Sequence, residues 1–311
     1  MSPRRSAFFD VGTNTILCVI AEIRDTGRFR VLDDMAEITR LGQGVDETRR
    51  ISREGEERSL AALKRYRSRC DSLGVEEIVA VGTSALRDAE NSAEVCARFR
   101  DELGISIRVI SGEEEAAYSF LAVRRGLSLG DGQILVIDIG GGSTEFICGD
   151  QTGISRALSV DLGSVRLTER FLYSDPVRPE EVARMAAVIE RELERLPENG
   201  IEIDPRVALI GIAGTFTTLV AMEKKLRQYF HRDVHGAALT LDAVRRQLKR
   251  LEKKSLEERR RIASLEPQRA DVIFAGAYLL ERIMDRYRAE RVTVSDQGVR
   301  YGLLHEAAQP L

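Results

Sequence analysis

Asp138 and Glu145 flank Gly140, Gly141, Gly142, Ser143 and Thr144, inside the run ILVIDIGGGSTEFIC from Ile134 to Cys148. Carboxylates at the two ends of a glycine and hydroxyl turn suit phosphate chemistry. Bare backbone N–H groups and the Ser143 and Thr144 hydroxyls can converge on an anionic oxygen. The carboxylates can hold a divalent cation or orient an attacking water. β-Branched Val136 and Ile137 predict a buried strand before the turn, and Phe146 and Ile147 resume a strand after it. An ordinary glycine-rich hairpin with two solvated acids has the same pattern, so this run alone decides nothing.

A second copy tips the balance. Phe8 to Ile20 reads FFDVGTNTILCVI, again a strand, an acid (Asp10), Gly12, the hydroxyls of Thr13 and Thr15, and a strand. Val81-Gly82-Thr83-Ser84 follows one apolar run and precedes a helix-like segment, and Ala213-Gly214-Thr215-Phe216 does the same. The paired features recur in order at an offset of about 130 residues, a duplication on the scale of domains. Two like lobes, each with a phosphate loop at a cleft between them, predict a polyanion site.

Other elements must position these loops. Leu60, Leu63, Tyr66 and Cys70 recur at helical spacing from Ser52 to Leu73, and Gly74 stops that helix. A third strand is expected over Met35–Gly44. In the second half, helices are expected over Pro176–Leu196, Thr217–Lys225, Leu239–Lys253 and Arg269–Met284, with strands over Val207–Ile212 and Val292–Ser295. Ser111 and Glu114 form a capping box that opens a helix through Gly126. Glu115, next along, either complements the helix dipole or is aimed at the phosphates. His231 and His235 are four apart with no third ligand type near them in sequence, and are expected to be surface or packing histidines.

The chain has 311 residues, enough for two domains with sizeable cores. Lys plus Arg is 47 against 50 Asp plus Glu, a net charge of −3, so any anion site must be local and nucleic acid is not an expected partner. The basic helix over Leu239–Lys253 lacks the aromatic residues that base stacking needs. No run is long enough to span a membrane, and the start enters a strand at once rather than a signal peptide. Cys18, Cys70, Cys96 and Cys148 have no metal spacing and are expected to be reduced thiols of a cytoplasmic protein.

The motifs DVGTNT, SALRDAEN, ISGEEEA, DIGGGSTE, DLGSVRLTE, IAGTFTTL, RADVIFAG and VSDQGVRYGLL run in one order over essentially the whole chain. In these the chain resembles the exopolyphosphatase and guanosine pentaphosphate phosphatase family, of the actin-like, sugar-kinase-like superfamily. The resemblance implies an α/β fold of two actin-like, ribonuclease-H-like domains with a phosphate-binding cleft between them. The first would hold residues 1–126 plus 298–311, the second 127–297. It implies that Glu115 is the general base that activates water, with Asp138 and Glu145 as the acids of the second loop. Asp10, Asp138 and Glu145 would hold Mg2+. Phosphate would be bound by Gly12, Thr13, Asn14 and Thr15, by Gly140, Gly141, Gly142, Ser143 and Thr144, and by Gly214 and Thr215. Arg87 takes the place of a phosphate-contacting arginine, whose planar fork suits a terminal phosphate.

Leu17 stands where many relatives carry an arginine or lysine. Longer relatives add a C-terminal helical domain that is not expected here. The expected reaction is Mg2+-assisted removal of the terminal phosphate of inorganic polyphosphate, distributive and favouring short chains. The same family offers pppGpp 5′-phosphatase as the alternative, and a kinase or a non-catalytic nucleotide-binding switch are the readings from other classes. A homodimer is compatible with all of these.

Overall fold

The computed structural model describes residues 3–202, 204 and 206–309. The chain divides into two compact units, one running through Ala122 and resuming at Gly298, the other from Val123 to Gln297.

The first unit is built on a five-stranded sheet. Its strands are β1 (Arg4–Val11), β2 (Thr15–Ile23), β3 (Phe29–Ile38), β4 (Glu77–Gly82) and β5 (Ile107–Val109), in the order β3-β2-β1-β4-β5. β1 pairs antiparallel with β2 and parallel with β4. Its helices are α1 (Val45–Thr48), α2 (Arg53–Ser72), α3 (Ser84–Asp88), α4 (Ser92–Leu103), α5 (Gly112–Gly126) and α13 (Val299–Ala307). Alternate residues of a strand face opposite sides. Phe9, Val11 and Ile16 therefore pack with Leu63 and Tyr66 of α2 and Phe99 of α4. Phe8, Val19 and Ala21 pack on the other side with Ala122 of α5 and Leu303 and Leu304 of α13. Both faces of the central strands are covered, which is why β1 and β2 read as near-continuous apolar runs.

The second unit repeats the plan. β6 (Ile134–Ile139), β7 (Thr144–Asp150), β8 (Gly153–Val160), β9 (Ala208–Ile212), β10 (Ala237–Thr240) and β11 (Arg291–Val294) lie in the order β10-β11-β9-β6-β7-β8. The helices are α6 (Ser164–Phe171), α7 (Pro179–Glu194), α8 (Ala213–Glu223), α9 (His231–Val234), α10 (Leu241–Glu252), α11 (Leu256–Arg260) and α12 (Ile273–Arg286). Read from β8, the sheet has the same sequence of antiparallel and parallel neighbours as the first, with β10 added at its far edge. This is an α/β fold with a duplicated sheet plan.

Several expected boundaries move. The third strand is Phe29–Ile38, not Met35–Gly44. Residues 39–42 leave it to strap the first loop, because Thr39, Arg40 and Gly42 donate to carbonyls of Asn14 and Thr13. α8 starts at Ala213, directly out of β9, rather than at Thr217. Ala213 has φ 71, an unusual left-handed residue that turns the strand into the helix. α7 starts only at Pro179, and the helix expected from Leu239 is split into β10 and α10, with Thr240 as the cap. α12 starts at Ile273, after a separate turn over Pro267–Arg269. All four cysteines are free thiols. Among the described residues no helix is long and apolar enough to cross a membrane.

Candidate active site

The β6–β7 hairpin places Asp138 directly opposite Glu145 in the ladder. Residues so paired face the same side of the sheet with side chains in reach of each other. Both are buried, at 8% and 2% exposure. Glu145 Oε1 accepts from Ser143 Oγ at 2.8 Å and from Ser159 Oγ at 2.7 Å. Two neighbouring buried carboxylates repel, and an oxygen-only donor set of this kind suits a hard divalent cation. The donors at Asp138 and Glu145 therefore fit Mg2+.

The glycine turn between them is held by the start of α6. Ser164 N donates to Gly140 O at 2.9 Å, and Val165 N and Arg166 N donate to Gly141 O at 2.9 and 3.1 Å. Arg166, itself buried, donates from Nε to Gly142 O at 2.7 Å. In a trans peptide the N–H points opposite to the carbonyl. Drawing three successive carbonyls towards α6 thus turns the amides of Gly141, Gly142 and Ser143 to the other side, where an anion can be met. Gly163 makes this approach possible, since a Cβ there would stand 2.2 Å from Gly141 O. Both hydroxyls expected to add donors are directed within the protein: Ser143 Oγ donates to Glu145 Oε1. The Thr144 hydroxyl is not turned to phosphate, because Thr144 is fully buried and donates to Leu162 O.

The first hairpin is built alike but not equally charged. Gly12 N donates to Thr15 O at 3.1 Å, closing the turn over Thr13 and Asn14. Thr13 O accepts from Gly42 N at 2.8 Å, and Asn14 O accepts from Thr39 and Arg40. Asp10 lies opposite Leu17 in the β1–β2 ladder. Leu17 is thus the structural counterpart of Glu145, and the acidic pair of the second hairpin is a single acid in the first. Thr83, at the end of β4, brings its Oγ1 to the same turn as the Asp10 carboxylate, both about 4 Å from the position of a Cβ on Gly12.

The capping box at α5 is present, with Glu114 N on Ser111 Oγ and Ser111 N on the Glu114 carboxylate. It leaves Glu115 to a different task. Glu115 is buried at 8% exposure and pairs with Arg87 of α3, Nη1 to Oε2 at 2.6 Å. Arg87 Nη1 also donates to Ile110 O at 3.1 Å. Burial pushes the Glu115 carboxyl above its ordinary range, against the opposing pull of the Arg87 charge and hydrogen bond. Such a carboxyl is a stronger base than a solvated one. The planar fork of Arg87 keeps further donors on Nε and Nη2 for an anion.

Gly214, the second residue of α8, lies against Arg269. A Cβ on Gly214 would stand 1.9 Å from Arg269 Nη1, so the guanidinium lies against this backbone. Thr215 is buried and packs towards Gly276 of α12. Sequence reasoning missed Thr83, Gly163, Arg166 and Arg269 as parts of the loops' surroundings. Gly163 and Arg166 stood in the motif DLGSVRLTE and Arg269 opened RADVIFAG, but only contacts across the fold reveal what they touch.

The model of the Ppx/GppA phosphatase family matches residues 19–310. The chain belongs to the Ppx/GppA phosphatase family. Membership makes it a hydrolase of phosphoanhydride bonds. Exopolyphosphatase 2 of Mycobacterium tuberculosis is 32% identical, over 97% of this chain and 98% of its own length. A bifunctional 3-dehydroquinate synthase/phosphatase of Fusobacterium nucleatum is also 32% identical over 97% of this chain, which spans only 46% of that protein. Among solved structures, a Ppx/GppA family member from Aquifex aeolicus is 34% identical, with TM-score 0.80 and coverage of 98% of this chain and 97% of that one. An exopolyphosphatase from Cytophaga hutchinsonii is 30% identical, with TM-score 0.91 and 98% coverage of both chains.

Proposed function

We propose that this Ppx/GppA family member is an exopolyphosphatase that releases orthophosphate from the end of inorganic polyphosphate. The observation that carries the reading is the buried Glu115 carboxyl, raised in basicity and paired to Arg87. Glu115 takes a proton from a water whose oxygen attacks the terminal phosphorus. The bond from that phosphorus to the bridging oxygen breaks, and the bridging oxygen leaves as the new end of a chain shorter by one phosphate. Arg87 positions Glu115 and meets the charge on the terminal phosphate. The amides of Gly141, Gly142 and Ser143, and the loop at Gly12, Thr13, Asn14 and Thr15, hold phosphate oxygens. Mg2+ on Asp138 and Glu145 would supply positive charge for those oxygens when bound.

The experiment is phosphate release from long polyphosphate, tripolyphosphate, pppGpp and ATP under matched conditions. Polyphosphate, long or short, should give the highest kcat/KM. Preference for pppGpp would move the reading to the 5′-phosphatase activity, and ATP-dependent phosphorylation of a product would move it to a kinase.

A further inference from the structure

The sequence offers His231 and His235 with no third ligand near them, and the fold supplies one. β10 pairs antiparallel with β11, Ala237 opposite Val294, and Gly236 N donates to Val294 O at 2.8 Å. This register sets the α9 turn, which ends just before β10, beside the residues that follow β11. Asp296 is thereby delivered to both histidines. His231 Nδ1 lies 2.7 Å from Asp296 Oδ2, and His235 Nδ1 lies 3.2 Å from Asp296 Oδ1. The two imidazole rings stack with centroids 4.6 Å apart. Tyr229 OH donates to Asp296 Oδ2 at 3.2 Å, and Ser295 Oγ stands 3.4 Å from His235 Nδ1.

The other face of His235 decides its chemistry. His235 Nε2 is 3.0 Å from Gly126 O. A carbonyl only accepts, so Nε2 carries the hydrogen, and in the neutral ring Nδ1 presents its lone pair. That lone pair points at a carboxylate whose side chain is 5% exposed. At 3.2 Å the two atoms stand at a separation that a shared proton or a shared metal ion can bridge. A histidine whose second nitrogen is tied to a backbone carbonyl is also the arrangement that orients metal ligands.

We propose that His231, His235 and Asp296 form a binding site for a borderline divalent cation of the zinc class. The three ligand atoms lie within 4.8 Å of one another. Zinc bonds of about 2.0–2.1 Å in a tetrahedron place donors about 3.3 Å apart, so rotation of the half-exposed His231 ring closes the set. Two imidazole nitrogens and one carboxylate oxygen favour zinc over Mg2+, and the solvent side of His231 leaves the fourth position to water. The bound ion would brace the α9 turn against the end of β11. It is an additional site, built from different residues and a different donor set than the acids of the β6–β7 hairpin.

The test uses the full chain without a histidine tag, stripped with chelator and titrated calorimetrically with Zn2+. Co2+ absorption serves as the reporter of nitrogen ligation. Wild type and Asp138→Asn should each take up about one equivalent with Co2+ bands of a nitrogen-containing site, and Zn2+ should raise the Tm. His231→Ala, at an exposed position, should lose at least about tenfold in affinity and the Tm response, and Asp296→Asn should lose them too. His231→Gln provides a second variant if the alanine form is poorly folded. Wild type that takes up no Zn2+, or isotherms that superimpose for wild type and the His231 variants, would overturn the site and leave a histidine–aspartate hydrogen-bonded cluster in its place.

Discussion

Glu115 is costly to keep charged, and the proposed reaction would put that cost to use. Its carboxyl is raised by burial while Arg87 opposes the shift. For a carboxyl raised in the folded state, the favourable contribution to stability is present at low pH. It is lost as pH rises from the unfolded value through the folded one. Glu115→Gln removes the ionisable group but keeps an acceptor for Arg87. Turnover should fall roughly 10²–10⁴-fold. The Tm of the variant relative to wild type should improve as pH rises through that window. The acid limb of the wild-type pH–rate profile should follow the same carboxyl, since a base must be deprotonated to work. Arg87→Ala should shift the limb to higher pH by leaving Glu115 without its counter-charge. Near-normal turnover of Glu115→Gln would remove the residue from the mechanism.

At the scale of elements, the glycine turn proposed to hold phosphate owes its shape to α6. The helix start takes up carbonyls of the three glycines, and Gly163 lets it come that close. Gly163→Ala sets a methyl 2.2 Å from a backbone oxygen, which no side-chain rotation relieves. We expect overpacking of about 1–3 kcal/mol, read as a lower denaturation midpoint. The displaced amides should also raise KM for polyphosphate, so a variant with unchanged KM would show that α6 does not set the loop. Among charged elements, α2 illustrates why arginine content alone misleads. Arg53, Arg67 and Arg69 pair with Glu57, Asp71 and Asp33. On α10, Arg245 likewise faces Glu281 and Asp285, and Arg246 faces Glu223.

Across the whole molecule, the two sheets share one plan but not one charge pattern. The second hairpin opposes Asp138 with Glu145, where the first opposes Asp10 with Leu17. A pair of carboxylates holds a hard cation better than one. Asp138→Asn should therefore raise the Mg2+ concentration needed for half-maximal activity more than Asp10→Asn does. Equal effects, or EDTA leaving wild-type activity untouched, would defeat this assignment. The near balance of 47 basic and 50 acidic residues offers no broad field to hold a long polyanion through many cleavages. On a gel, long polyphosphate should shorten as one moving ladder. Full-length chains passing to the smallest products without intermediates would show processive action.

Much of this was legible in the sequence because it is local. Strand–turn–strand patterns around Asp10 and Asp138, the Ser111–Glu114 box and the duplication rest on residue type and spacing, and they carry the fold class. The family-wide motifs added Glu115 and Arg87 as site residues. Spacing along the chain could not show that these two pair with each other, because α3 and α5 meet only after β4 and β5 align. Nor could it show that Leu17 occupies the place of Glu145, which follows from ladder register, or that Thr144 spends its hydroxyl on Leu162. Asp296 joins His231 and His235 for the same reason: the β10–β11 pairing closes a long stretch of sequence into one contact. Local composition determines which elements form and what chemistry they can carry. Non-local pairing decides which side chains share an environment, and with it their charge state and partners.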